Sequence, residues 1–145
     1  MMNRKEQIAK EISQVIPTFI RHMYPYVFEP MEVPPSQILA LVAIEENNGC
    51  TLSQLKREMH VSAPTISGIV ERLVRDGFIT RTEDRNDRRI KNVVLTKNGQ
   101  MVLEKFRKNI KERWQQILNK VPVETAKSII INLSKITEGF KNGSI

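Results

Sequence analysis

Three arginines and two aspartates fall within six residues, 84–89 (DRNDRR), between two lengths that can pair as strands, 78–83 and 90–95. Asn86-Asp87 by itself supplies the chemistry of a tight turn, so Arg85, Arg88 and Arg89 need another explanation. A guanidinium offers a rigid fork of donors that matches a carboxylate or a phosphate, and Asp87 stands close enough to Arg89 to hold it by a bidentate pair. An extended cation at the tip of a hairpin suits the narrow, strongly negative minor groove of A·T-rich DNA. The competing reading is a solvated turn with exposed ion pairs. The stretch before the turn decides between them.

That stretch reads as two short helices joined by about three residues. In TLSQ, Thr51 caps the first and Gln54 reaches back to complete a capping box, and the helix runs to Met59. In SAPTISGIVERLVRD, Ser62 caps the second, and Pro64 stands in the first turn, where a missing N–H matters little. Ile66, Ile69, Val70 and Leu73 form its buried stripe and Gly77 closes it, which leaves Ala63, Pro64, Thr65, Ser67, Gly68, Glu71, Arg72 and Arg75 toward solvent. Small residues on such a face let a helix backbone approach the floor of the major groove, and hydroxyls can meet phosphates or either kind of base. The bland alternative is a helical hairpin in an all-helical core. A hairpin with a cationic tip directly after the two helices favours a helix-turn-helix with a wing.

The elements that must hold this site are helices. Ile8, Ile12, Val15, Ile16, Phe19, Ile20, Met23 and Val27 recur at three- and four-residue spacing and predict an amphipathic helix over 6–27. The stretch 24–35 holds Pro25, Pro30, Pro34 and Pro35 and is expected to end that helix in a connector. A second helix is expected over 36–47, stopped by Asn48-Gly49. After the hairpin, Thr96 caps a long helix with rungs Leu103, Phe106, Ile110, Trp114 and Ile117, and Pro122 starts a last one with Ala126, Ile129, Ile130, Leu133, Ile136 and Phe140. The wide apolar faces of the outer helices need a cover that a small core does not supply.

Composition sets the outer bounds. At 145 residues, 40% hydrophobic and 27% charged, the chain suits one soluble domain. The net charge of +7 is uneven, at −2 over residues 1–50, +3 over 51–95 and +6 over 96–145, so the positive field lies in the last two thirds and favours a polyanionic partner. Lys105, Arg107, Lys108, Lys111 and Arg113 circle their helix and read as solvated surface. No apolar run approaches a membrane span and no secretory leader is visible, so a cytoplasmic protein is expected. The single Cys50 excludes an internal disulfide and reads as packing. His22 and His60 are too few for a metal site. Without a phosphate loop, a nucleophile with a His base or paired carboxylates, neither an enzyme nor a cofactor is expected.

The run from TLSQLKREMHVSAPTISGIVERLVRDGFITR through EDRNDRRIKNVVLTKNG resembles the winged helix-turn-helix core of the MarR family of transcription regulators. The residues that carry the likeness are Gly77-Phe78-Ile79-Thr80-Arg81, Asp84, Asp87-Arg88-Arg89, Leu95-Thr96 and Gly99. The resemblance implies a mainly α fold with a small β-hairpin wing, a single domain over 1–145. Its winged helix-turn-helix core would span 35–99, flanked by N- and C-terminal dimerisation helices over 1–34 and 100–145. It implies a homodimer on a pseudo-palindromic duplex, with helix 62–76 in the major groove and wing 83–90 in the minor groove. DNA contacts would fall on Ser62, Ala63, Pro64, Thr65, Ser67, Gly68, Arg72, Arg88 and Arg89, with Arg89 at the wing tip and Asp87 pairing with Arg81 to brace it. A repressor released by a small aromatic effector is implied, and His22, Tyr24 and Tyr26 lie where such a molecule would enter. Where the family often has glycine between the two helices this chain has His60, and Cys50 is not near the start of the chain as the reactive cysteine of peroxide-sensing members is. The alternative function is a winged-helix protein-interaction module that does not read DNA.

Overall fold

The computed structural model describes residues 1–143, so Ser144 and Ile145 of the expected last segment lie outside the described residues. The elements in chain order are α1 (Arg4–Phe28), α2 (Pro35–Glu46), β1 (Cys50–Thr51), α3 (Leu52–Met59), α4 (Ala63–Arg75), β2 (Ile79–Glu83), β3 (Lys91–Leu95), α5 (Lys97–Leu118) and α6 (Val123–Lys141). They fall into two compact units, Met1–Asn109 and the stretch from Ile110 onward, with the boundary inside α5. The fold is mainly α with one small antiparallel sheet, as expected.

Two details differ from the expectation. The hairpin is part of a three-stranded sheet of order β1-β3-β2, because Cys50 pairs with Val93 and Thr51 with Asn92. A two-residue strand leaves no periodicity to read, and its existence follows from tertiary pairing. The trace of it is Gly49 at φ 95, where a Cβ would stand 2.7 Å from Val94 Cγ1. Second, the connector begins only after Phe28: of the stretch 24–35 expected to supply it, residues 24–28 stay helical, Pro25 included. Helix continues through Pro17 and Pro25 to Phe28, and the N–H of Glu29 donates to Pro25 O at 2.9 Å. A proline inside a helix removes its own donor and crowds the preceding turn, but the bonds on either side can persist. The N-terminus of α1 is fixed by a capping box that reading the apolar period alone passes over: Asn3 Oδ1 accepts the N–H of Glu6 and Glu6 Oε2 accepts the N–H of Asn3.

The core of the first unit gathers Ile38, Ala40, Leu41 and Ile44 of α2, Leu55 of α3, the stripe Ile66, Ile69, Val70 and Leu73 of α4, Ile79 and Val93 of the sheet, and Leu103 and Phe106 of α5. Each of these side chains larger than alanine contributes about 1.5–3 kcal/mol through removal from water. α1 joins this unit at its C-terminal end, where Phe28 stacks on Phe106 with ring centroids 5.6 Å apart. Arg107 of α5 forks onto Glu45 of α2, with Nη1 donating to Oε1 at 3.1 Å and Nη2 to Oε2. In the second unit, Trp114 and Leu118 of α5 and Ala126, Ile129, Ile130 and Leu133 of α6 line an apolar recess of about 250 Å³.

α1 and α6 bury no residue completely. Their apolar positions, among them Ile12, Val15, Phe19 and Ile20 on α1 and Ile130, Leu133, Ile136 and Phe140 on α6, are exposed.

Candidate nucleic-acid interface

The joint between α3 and α4 is built by side chains that satisfy helix ends. Thr51 Oγ1 accepts the N–H of Gln54 at 3.2 Å and Gln54 Oε1 accepts the N–H of Thr51 at 2.9 Å, which starts α3. His60 ends it in the left-handed region, at φ 52 and ψ 42, with its N–H donating to Arg57 O. Histidine is among the non-glycine residues that tolerate this conformation. Two residues later Ser62 Oγ accepts the N–H of Thr65 at 3.3 Å and starts α4, with Pro64 in its first turn.

Burial of Ile66, Ile69, Val70 and Leu73 fixes the rotation of α4 about its axis. Ser62, Ala63, Pro64, Thr65 and Arg72 are therefore exposed, and Ser67 and Gly68 are half-buried at the edge of the same face. A Cβ at Gly68 would meet nothing within 4 Å, so packing inside the chain does not require glycine there. Arg75, also on the outer side, is taken up by Asp76 at 3.0 Å.

The charged turn is organised from Asp84, a role that the sequence pattern does not single out. Its Oδ1 accepts the N–H of Asn86 at 2.8 Å and of Asp87 at 3.1 Å, while its own N–H donates to Ile90 O at 3.0 Å. Asx side chains favour such turns because the carboxylate replaces a backbone acceptor. Lys91 Nζ and Glu83 Oε1, 2.6 Å apart on paired strand positions, close the base of the turn. At its far end, Asp87 Oδ1 accepts Nε of Arg89 at 3.1 Å and the Arg89 N–H at 3.0 Å, and Oδ2 accepts Nη2 at 3.2 Å. These bonds from the Arg89 side chain, then its backbone, hold the Asp87 carboxyl below the usual carboxylate range. The Arg89 side chain nevertheless stays 91% exposed.

The pairing of Asp87 with Arg81 that the resemblance implied is not formed. Arg81 lies on β2 opposite Val93, below the Glu83–Lys91 pair, whereas both Asp87 oxygens are satisfied inside the turn by Arg89. A partner two residues away, offering a backbone N–H as well as a guanidinium, is easier to meet than one across the strand. Arg81, Arg85 and Arg88 are exposed, and among the described residues their side chains make no hydrogen bond or ion pair.

A rigid knot anchors the wing to α5. Thr96 Oγ1 donates to Gly77 O at 2.6 Å and accepts the N–H of Gly99 at 3.2 Å, while the Thr96 N–H donates to Phe78 O at 3.0 Å. Gly99 is required by this approach, since a Cβ there would stand 2.1 Å from Phe78 O.

The residues singled out for an effector, His22, Tyr24 and Tyr26, lie on α1. His22 Nδ1 is 2.8 Å from Thr18 O of its own helix, and Tyr24 packs on Phe28 with ring centroids 4.9 Å apart. Tyr24 and Tyr26 are each about half exposed. Cys50 is buried in β1, where burial, and next the charge of Glu58, push its thiol pKa up. Among the described residues no cluster of three or more His, Cys, Asp or Glu could hold a metal, and no helix is long and apolar enough to cross a membrane.

Two helices joined through a left-handed turn, the second presenting a face of small and hydroxylated residues, and a β2–β3 turn that projects arginines define a winged helix-turn-helix protein. Residues 33–91 match the model of the MarR family. It is 24% identical over 143 residues to the HTH-type transcriptional repressor MdtR of Bacillus subtilis (strain 168), covering 94% of this chain and 92% of that one. Its fold is shared with a MarR family protein from Bacillus stearothermophilus at a TM-score of 0.81 and 18% identity, over 97% of this chain and 99% of that one. It is shared also with an S. aureus MepR mutant solved bound to an oligodeoxyribonucleotide, at a TM-score of 0.65 and 22% identity, over 91% and 97% of the two chains.

Proposed function

We propose that this chain is a sequence-specific regulator of transcription that binds double-stranded DNA in the cytoplasm, as a homodimeric repressor on a pseudo-palindromic operator. The observation that carries this reading is the open face of α4, Ser62 to Thr65 with Ser67, Gly68 and Arg72, beside a turn that presents Arg85, Arg88 and Arg89. In this reading α4 lies in the major groove and the wing in the adjacent minor groove, where a guanidinium held by Asp87 enters already aimed. Arg81, unpaired on β2, is free to meet a backbone phosphate rather than to brace the wing. The core would be residues 35–99.

The dimer is supported by the apolar surface left open on α1 and α6, which a second copy would cover. Repression is supported by the name of the Bacillus subtilis relative. An aromatic effector is supported only by the row Tyr24, Phe28 and Phe106 at the end of α1.

Selection of tight binders from a pool of random duplexes tests the reading. The wild type is expected to enrich an inverted repeat with half-sites about one helical turn, roughly 10 base pairs, apart. Arg89→Ala should weaken binding to that repeat and lower the salt dependence by about one counterion. Enrichment of no motif, or equal binding by wild type and variant, would leave the protein-interaction module as the reading. Sedimentation of the free protein tests the dimer.

A further inference from the structure

Ser62 and Thr65 are joined hydroxyl to hydroxyl at 2.7 Å, and either oxygen can be the donor. Ser62 Oγ also accepts the Thr65 N–H at 3.3 Å, so the two side chains and one backbone donor form a closed loop at the exposed start of α4. A hydroxyl carries one proton and two lone pairs. If Ser62 donates to Thr65, the Thr65 proton is left to point outward. If Thr65 donates to Ser62, both Ser62 lone pairs are filled, the Ser62 proton is left, and Thr65 presents only lone pairs. In either arrangement one proton of the pair remains, and the direction of the internal bond decides whether Thr65 faces the outside with a proton and one lone pair or with lone pairs alone.

From this we propose that Ser62 and Thr65 act as one specificity-determining unit, with Thr65 touching a base edge and Ser62 acting as its positioning residue. The inference rests on the DNA-reading function proposed above and deepens it. Without Ser62, a threonine hydroxyl in a helix turns to a backbone carbonyl one turn earlier and is lost to the groove. With Ser62, the Thr65 hydroxyl is held outward before DNA arrives. A purine N7, a guanine O6 or a thymine O4 requires the arrangement in which Ser62 donates and Thr65 keeps its proton, whereas a cytosine or adenine amino group is accepted by Thr65 in either arrangement.

The unit is tested in the same duplex selection, with Ser62→Ala, Ser62→Thr, Thr65→Val and the Ser62→Ala/Thr65→Val double variant compared with wild type. Thr65→Val keeps the shape and removes the hydroxyl. Ser62→Ala and Thr65→Val are both expected to relax preference at the same base pair of each half-site by about tenfold. The double variant should relax it no further, and Ser62→Thr should retain it. Loss of the N-cap alone lowers binding to every sequence equally and leaves base preference intact. That outcome for Ser62→Ala overturns the positioning role, and an unchanged motif in Thr65→Val overturns the unit. A wild type that enriches no motif removes the DNA-reading function itself, and the inference falls with it.

Discussion

Gly99→Ala sets the rigidity of the wing joint against the helix propensity of alanine. The new Cβ would lie 2.1 Å from Phe78 O, 3.0 Å from Phe78 C and 3.2 Å from Leu95 Cδ2. An ordinary carbon–oxygen contact begins near 3.3 Å, so the start of α5 must move by about 1 Å from the Phe78 carbonyl. That carbonyl is backbone and already accepts the Thr96 N–H at 3.0 Å, so it has little freedom to withdraw. Overpacking costs about 1–3 kcal/mol and a weakened buried hydrogen bond about 1 kcal/mol. Alanine returns about 1 kcal/mol through helix propensity. The net loss is about 1–3 kcal/mol, or a fall in Tm of roughly 2–10 °C for a chain of this size. Thermal unfolding followed by circular dichroism at fixed chain concentration measures it. Gly68→Ala is the control: a Cβ there meets nothing within 4 Å, so the same propensity gain should raise Tm by about 2–4 °C. On the proposed function it should also weaken DNA binding, because the methyl stands between helix backbone and groove. A Gly99→Ala protein as stable as wild type would refute the argument that the joint is closely packed.

Three further outcomes follow from the geometry. Asp84→Ala removes the acceptor for two backbone N–H groups of the wing turn and should lower DNA affinity about tenfold while moving Tm little, and an unchanged affinity would mean that Asp84 does not shape the turn. Glu45→Gln should destabilise by about 0.5–1 kcal/mol at neutral pH, the scale of a partly exposed pair. Hydrogen bonds from Arg107 hold the Glu45 carboxyl below its ordinary value of 4.5, so this contribution is full above that value. It is lost as the pH falls through the lowered folded value, and the Tm gap between wild type and variant should close in acid; a gap independent of pH would contradict the pairing. Cys50, buried and with its thiol pKa raised, should resist a thiol reagent at neutral pH until the protein unfolds, and fast labelling of the native chain would place it elsewhere.

Much of the site is legible in the chain because it depends on local chemistry. Capping boxes, the apolar stripe of α4 and the turn residues act within four or so positions, and Thr51, Ser62 and Ile66 announce their roles to a reader of spacing alone. The same stripe fixes which residues α4 turns outward, so the face that holds Ser62, Thr65 and Arg72 is legible in the sequence. Tertiary structure decided what depends on separation along the chain. Cys50 gained a strand partner at Val93, Glu45 found Arg107, and Thr96 closed on Gly77 across distances that no period encodes. It decided also between partners the sequence offered equally: Asp87 could meet Arg81 across the strand or Arg89 two residues on, and the curl of the turn gave it Arg89. Local preferences are set by a residue's own torsions and its near neighbours, whereas the choice among distant partners is made only when the core brings them together.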